Sequence, residues 1–225
     1  MRPWQTLGAV STDEGELKLL ARDERDYMIT VAGRVLMVSK SSRSEQALAS
    51  LACASLRRTR PGPRVLIGGL GMGYTLRAAL DALPKTARVT VCELTPAVLE
   101  WCRGPLAHLT DAAVDDPRVR VVFEDVAQAI RRAASGGPRG RFDAILLDLY
   151  EGPNEGRRGA NESLYGAAAL RRSREALRPG GTFAVWSEAA DAAFERRLRT
   201  AGFHAERRRL DGGGHRYVVY LARPR

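Results

Sequence analysis

The chain has 225 residues, 44% of them hydrophobic, which is enough to bury a full core as one domain with a small appendage. No uninterrupted apolar run approaches the ~18–20 residues of a membrane span, and Met1-Arg2-Pro3-Trp4-Gln5 is not followed by an apolar signal-type run, so a cytoplasmic protein without a membrane partner is expected. The formal charge of +10 comes from arginines scattered along the chain with no aromatics between them to stack bases, which argues against a nucleic-acid partner and, mildly, against a strongly cationic substrate.

From the start, Glu16-Leu17-Lys18-Leu19-Leu20-Ala21-Arg22, Asp26-Tyr27-Met28-Ile29-Thr30-Val31 and Arg34-Val35-Leu36-Met37-Val38 read as three short strands, the last two joined by an Ala32-Gly33 turn. They predict a small antiparallel cap. A helix over 46–56 follows, with Ala47, Leu48, Leu51, Ala52 and Leu56 as its apolar stripe. Ser41 or Ser42 is placed to cap it, and Glu45 to complete a capping box. Arg60-Pro61-Gly62-Pro63 then punctuates a boundary, giving an N-terminal unit over 1–60 and a larger domain over 61–225.

The larger domain opens with Val65-Leu66-Ile67, then Gly68-Gly69-Leu70-Gly71-Met72-Gly73, then a helix from Tyr74. Four glycines in six positions between a buried strand and a helix suit a turn whose backbone approaches a ligand, with the helix's free N–H groups behind it. About twenty residues on, Arg88-Val89-Thr90-Val91-Cys92-Glu93 ends on an acid, where a doubly wound sheet holds the hydroxyls of a ribose. Together these predict a nucleoside-containing ligand.

Beyond it, Pro96 starts a helix, Val119-Arg120-Val121-Val122-Phe123 reads as a strand ending at Glu124-Asp125, and a helix spans 126–134. Phe142-Asp143-Ala144-Ile145-Leu146-Leu147-Asp148 is the most apolar strand and should lie at the sheet centre. A long polar loop over 149–162 leaves its end, where ligands bind in open α/β sheets. A helix over 164–177, the turn Arg178-Pro179-Gly180-Gly181, and a strand Thr182-Phe183-Ala184-Val185-Trp186-Ser187 follow, Ser187 being a candidate substrate contact. A helix over 192–201 and an antiparallel pair joined at Gly212-Gly213-Gly214 close the chain. The expected fold is therefore α/β: a Rossmann-like, doubly wound, mostly parallel sheet with an N-terminal antiparallel β cap. A terminal antiparallel pair is the layout of class I S-adenosylmethionine-dependent transferases rather than of nicotinamide dehydrogenases.

Three cysteines, Cys53, Cys92 and Cys102, read as reduced core thiols, and His108, His204 and His215 follow no metal spacing, so no metal is expected. Met72 either touches a ligand or fills space.

From about Tyr27 to Trp186 the chain resembles the spermidine synthase (polyamine aminopropyltransferase) family. The resemblance rests on Arg64-Val65-Leu66-Ile67-Gly68-Gly69 with Thr75-Leu76-Arg77, Val91-Cys92-Glu93-Leu94-Thr95-Pro96, Asp116-Pro117-Arg118-Val119 and Glu124-Asp125-Val126. It continues through the 142–148 strand, Gly152-Pro153, Leu164-Tyr165 and Leu177-Arg178-Pro179-Gly180-Gly181. The resemblance implies a transferase using S-adenosylmethionine or its decarboxylated form as donor, a small amine as acceptor, and a homodimer as a common state. It implies that Gly68, Gly69, Gly71 and Gly73 pass beside the donor's sugar and tail. Glu93, with Leu94 beside it, would take the ribose hydroxyls. Asp125 would take the adenine amino group with Val126 against the ring, and Asp148 would face the sulfonium and the attacking amine. Glu151 stands where the family has a second acid, and Tyr150 precedes it.

Two departures bear on the substrate. The family's glycine turn carries an acid for the ammonium of decarboxylated S-adenosylmethionine, whereas Leu70-Gly71-Met72-Gly73 has none, a loss on the order of 1.5–3 kcal/mol for such a tail. The family's Gln after the cap strands also has no counterpart near Leu36 to Ser39. Intact S-adenosylmethionine, with methyl transfer or ring closure of its own side chain, is therefore an alternative. A non-catalytic nucleoside-binding relative is another.

Overall fold

The structure is a computed structural model that describes residues 2–54, 56, 60–150, 152–153, 162–212 and 215–225. At its start, β1 (Gln5–Thr12), β2 (Gly15–Asp23), β3 (Asp26–Val31) and β4 (Arg34–Val38) form an antiparallel four-stranded meander. Three of these strands are those expected. β1 is an addition: its small and polar residues carry no strong apolar alternation, and it lies mostly exposed on the outer edge. Gly8 is required there, because a Cβ would come within 2.6 Å of the Trp101 indole nitrogen.

Helix α1 (Arg43–Cys53) starts three residues before the expected position, and the capping box does not form. Ser42 is the N-cap residue but makes no side-chain cap; its hydroxyl instead accepts from Gln46 Nε2 at 3.0 Å. Glu45 turns inward to a buried position, where the Ser44 hydroxyl donates to its Oε2 at 2.6 Å.

The main sheet has seven strands: β5 (Arg64–Gly68), β6 (Arg88–Glu93), β7 (Val119–Phe123), β8 (Phe142–Leu147), β9 (Leu177–Ser187), β10 (Phe203–Gly212) and β11 (His215–Pro224). Their spatial order is β10-β11-β9-β8-β5-β6-β7; β7, β6, β5, β8 and β9 run parallel, β11 is antiparallel to β9, and β10 is antiparallel to β11. The expected architecture is thus the observed one, with β8 in the centre and all six of its residues buried. Between Ala144↔Thr182 and Phe142↔Leu177 the register shifts, so that Arg178-Pro179-Gly180-Gly181 loops out of β9 as the expected turn, with Gly180 at φ +74°.

Helices α2 (Tyr74–Ala82), α3 (Pro96–Arg103), α4 (Val126–Ser135), α5 (Glu162–Tyr165), α6 (Ala167–Glu175) and α7 (Ala192–Thr200) connect the strands. The single helix expected over 164–177 is instead α5 and α6, divided at Gly166. Two apolar layers flank the sheet. One unites Leu17, Leu19, Ile29 and Val31 of the meander with Leu48 of α1, Leu76 of α2 and Val65, Ile67 and Leu146 of the sheet. The other packs Ile130 of α4, Leu170 of α6 and Phe194 of α7 on Leu66, Ile145 and Phe183. Each such fully buried side chain contributes about 1.5–3 kcal/mol.

At the strand-start end of the sheet, fully buried Asp143 takes the backbone N–H of Arg64 at 2.8 Å and Arg178 Nη1 at 2.9 Å, with Arg60 Nε at 3.2 Å. This cluster ties β5, β8 and β9 together far from their carboxyl ends. Among the described residues, no helix is long and apolar enough to cross a membrane, and no group of three His, Cys, Asp or Glu side chains could hold a metal ion.

Candidate active site

The carboxyl ends of β5, β6 and β8 converge on one place. β5 delivers the glycine turn, where Gly69, Gly71 and Gly73 adopt φ of +89°, +52° and +84°, a region that favours glycine. The missing Cβ positions are filled by the chain itself. A Cβ on Gly69 would lie 2.4 Å from the Asp148 carbonyl oxygen, one on Gly68 2.9 Å from Val126 Cγ1, and one on Gly71 2.9 Å from Met37 Sδ. The glycines therefore let the turn sit against β8, α4 and the meander. The turn is anchored by Gly69 N–H to Cys92 O at 2.9 Å and by Asp148 N–H to Gly68 O at 3.0 Å. Met72 is fully buried and fills core space.

Glu93, at the end of β6, is half-buried and holds the same turn. Its Oε2 accepts from Leu70 N–H at 3.0 Å, and its Oε1 from Leu94 and Thr95 N–H at 2.9 Å each. Those three amides leave about one of the carboxylate's roughly four lone-pair positions for a further donor. Leu94 beside it is 72% exposed, an apolar surface at a strand end.

Asp125 is the N-cap of α4, accepting from Ala127 N–H at 2.8 Å. One of its oxygens is thus committed to the helix. Val126 is buried under Gly68 rather than turned outward.

Asp148 follows β8 directly. The Thr75 hydroxyl, on the first turn of α2, donates to its Oδ2 at 2.5 Å and lies 3.2 Å from the carbonyl oxygen of Glu45. Burial and the nearby Glu45 carboxylate push Asp148 up to about 7, and the Thr75 hydrogen bond pulls it back. Burial likewise raises Glu45, against the Ser44 hydrogen bond. Tyr74, next to Thr75, donates to Ser39 O at 2.9 Å and is pushed up to about 12, by burial and by Glu45. Tyr165, at the end of α5, is buried, and its hydroxyl has no hydrogen-bond partner among the described residues; burial and the Asp148 charge both raise it.

The structure thus brings together the glycine turn, Glu93, Leu94 and Asp148. Tyr150 stands at the rim, 37% exposed, with the Arg34 guanidinium 5.7 Å from its ring centre. Glu151 lies outside the described residues. Gly152 packs on the end of β9, where a Cβ would meet Trp186 O at 2.6 Å, and Ser187 donates to Ala189 O at 2.7 Å, closing its own turn. His108 Nε2 is 2.8 Å from Glu24 O, and the three thiols are buried and raised to about 12, so none is a thiolate near neutral pH.

Three neighbours of Asp148 were not singled out from the sequence. Thr75 and Tyr165 lay within the stretches carrying the family resemblance without a role of their own. Glu45 fitted a capping pattern that gave no sign of its inward turn.

The class defined by this sheet is a Rossmann-like α/β fold, five parallel strands continued by a terminal antiparallel pair. The chain superposes on spermidine synthase from Thermotoga maritima with a TM-score of 0.70 and 20% identity, covering 97% of this chain and 72% of that one. It superposes on human methyltransferase-like protein 13 in complex with SAH with a TM-score of 0.64 and 21% identity, covering 82% and 83%. Among curated proteins, polyamine aminopropyltransferase of Mycobacterium tuberculosis (strain H37Rv) is 35% identical over 123 residues, 54% of this chain and 22% of that protein. That of Pyrobaculum calidifontis is 32% identical over 139 residues, 60% and 45%. The chain spans less than half the length of these relatives. Residues 46–196 match the spermine/spermidine synthase domain model, and the chain belongs to that family.

Proposed function

We propose that this chain is an enzyme that transfers the aminopropyl group of decarboxylated S-adenosylmethionine to a small polyamine-type acceptor. The observation that carries this reading is Asp148: a carboxylate at the end of the central strand, held by Thr75, with an ionisation raised to about 7. A group poised near neutrality is suited to take a proton from an ammonium at working pH. The acceptor's ammonium hands one proton to Asp148. The freed nitrogen lone pair then attacks the carbon next to sulfur; the C–N bond forms as the C–S bond breaks, and its electron pair neutralises the sulfonium. The products are the alkylated ammonium and methylthioadenosine. The leaving group carries its own activation, so the protein's task is alignment.

On this reading the donor's ribose donates to Glu93, its adenine lies by Leu94 and near Asp125, and its tail runs along the glycine turn. Tyr150, and Glu151 in the family's second-acid position, orient the acceptor. We place the 1–60 unit as the cover of the site, with Met37 and Ser39 as its contacts to the turn and to Tyr74. Buried, reduced thiols agree with a cytoplasmic setting.

A second reading is favoured by the turn itself. The surroundings of Gly71 are Met37 Sδ and the Cys102 thiol, which donates to Gly71 O at 3.3 Å, and the turn has no acid to grip an ammonium tail. Such a lining admits the carboxylate of intact S-adenosylmethionine and, with it, methyl transfer. Incubation of the chain and 1,4-diaminobutane with each donor separates the two: methylthioadenosine marks aminopropyl transfer and S-adenosylhomocysteine methyl transfer. Neither product with either donor contradicts both.

A further inference from the structure

The +10 charge is scattered along the sequence but segregated in the fold. In the layer beside the meander, α1, α2 and α3 each carry one arginine and one acid. Arg77 there pairs with Asp81 at 2.5 Å, and Arg103 with Asp115 at 3.0 Å. On the opposite face of the sheet, α4 carries two arginines and no acid, while α6 and α7 carry three arginines and one acid each. Every helix of that face therefore has a net excess of two positive charges, where α1, α2 and α3 have none.

Helix α6 packs between α4 and α7, so the three form one surface roughly 16–20 Å across between its outer axes. Arg131, Arg171, Arg172 and Arg196 are exposed on these helices, and their side chains make no ion pair or hydrogen bond among the described residues. Arg209 of the edge strand β10 extends the surface; it lies on the same side of the strand as Arg207, which reaches Glu195 of α7 at 2.9 Å. Like charges left unneutralised on one face repel, and an anionic partner relieves that repulsion. Two of these arginines also converge. Arg131 from α4 and Arg172 from α6 line one shallow cleft, with Ser163 of α5 beside them and the buried Ala127, Ile130 and Ala169 beneath. Two guanidiniums at one opening suit a phosphate, whose oxygens accept paired N–H groups.

The rest of the surface narrows the partner. Leu7, Val35, Leu94, Phe123 and Tyr150 are the exposed large apolar side chains among the described residues, and none belongs to α4, α6 or α7. The face thus has no apolar anchor for a bilayer and no apolar centre for a protein interface. A second copy of the same face would be repelled. A single strand needs aromatic side chains on which its bases stack, whereas a duplex turns its phosphates outward and needs only cations.

We propose that the outer face of α4, α6 and α7 docks the phosphate backbone of a double-stranded nucleic acid, with Arg131 and Arg172 gripping a phosphate across the α4–α6 cleft. Binding is independent of base sequence and separate from the transfer chemistry at the carboxyl ends of the strands.

The test is fluorescence anisotropy with labelled 20-base-pair duplexes of DNA and of RNA, titrated with the wild-type chain between 50 and 200 mM salt. The wild type should bind with a Kd of roughly 1–10 μM at 50 mM salt, and log K should fall with log salt at a slope of about −3 to −5. The double variant Arg131→Gln, Arg172→Gln should bind at least about tenfold more weakly, with a slope smaller by about two. The control double variant Lys85→Gln, Arg88→Gln removes the same charge from exposed positions at the start of β6 and should stay within about twofold of the wild type. All these side chains are exposed, so melting temperatures should match that of the wild type. A preference between the two duplexes identifies which nucleic acid is the source of the phosphates. No binding of either duplex at about 100 μM chain, equal losses in the two variants, tighter binding of the single strand, or binding of phosphatidylserine vesicles without binding of a duplex would each overturn the proposal. None of these results bears on methylthioadenosine binding, so the transferase reading is tested apart from it.

Discussion

Thr75 Oγ1 donates to Asp148 Oδ2 at 2.5 Å, so the first turn of α2 holds the carboxylate that ends the central strand. That hydrogen bond favours the ionised form and opposes the burial that raises Asp148 to about 7. Thr75→Val keeps the shape and removes the donor. The acid limb of the pH profile of kcat/KM should therefore move upward by about one unit, since a hydrogen bond to a charged group contributes roughly 1.5–3 kcal/mol at most. An unmoved limb would mean that Asp148 is not the group titrating.

Glu45→Gln should move the same limb the other way. Its carboxylate is one of the two causes that raise Asp148, and removing it lets Asp148 ionise at lower pH. Opposite shifts from two neighbours of one acid are hard to obtain from general loosening of the fold.

The same substitution carries a stability signature. Burial raises Glu45, so the folded chain binds that proton more tightly than the unfolded chain does. The stability linked to it is present at low pH and lost as pH rises through the folded value. Wild-type melting temperature should thus gain on acidification from neutrality toward about pH 5, and Glu45→Gln should flatten that gain. A steeper gain in the variant would contradict the assignment.

Gly69→Ala tests the packing of the turn. At φ +89°, with its Cβ 2.4 Å from the Asp148 carbonyl oxygen, an alanine can be accommodated only if backbone moves. A loss of at least about 1–3 kcal/mol is expected, from positive φ and overpacking together, with turnover falling further because Asp148 is displaced. Denaturant melts and single-turnover rates on the same preparation check both.

Asp143→Ala should separate stability from function. Removing a fully buried acid leaves the Arg64 N–H unmet, while Arg178 and Arg60 stay partly open to water, for a cost of about 1–3 kcal/mol. The cluster is at the opposite end of the strands from Asp148, so nucleoside affinity measured below the melting transition should stay within about twofold.

Much of this was legible in the sequence. The run from Phe142 to Asp148 announced a central strand because burial on both faces removes alternation, and the glycine turn and the acid ending the next strand announced two neighbouring parallel strands. β1 was missed because Gln5-Thr6-Leu7-Gly8 carries no apolar alternation on an exposed edge. Glu45 was misread because its spacing from Ser42 satisfies a capping pattern, and only tertiary packing turns it inward to a buried position where the Ser44 hydroxyl meets it. The glycines marked the turn, but spacing does not report what their empty Cβ positions face, namely Asp148, Val126 and Met37. Asp125 and Val126 are at the expected strand end, but the helix cap and the Gly68 contact that hold them are set by α4 packing, which spacing does not report.

The most direct test of the whole account is calorimetric titration of the wild-type chain and Glu93→Ala with methylthioadenosine. The account predicts a saturable heat for the wild type and at least about tenfold weaker binding, roughly 1.4 kcal/mol, for the variant. No heat with the wild type, or equal affinity in both proteins, would contradict it.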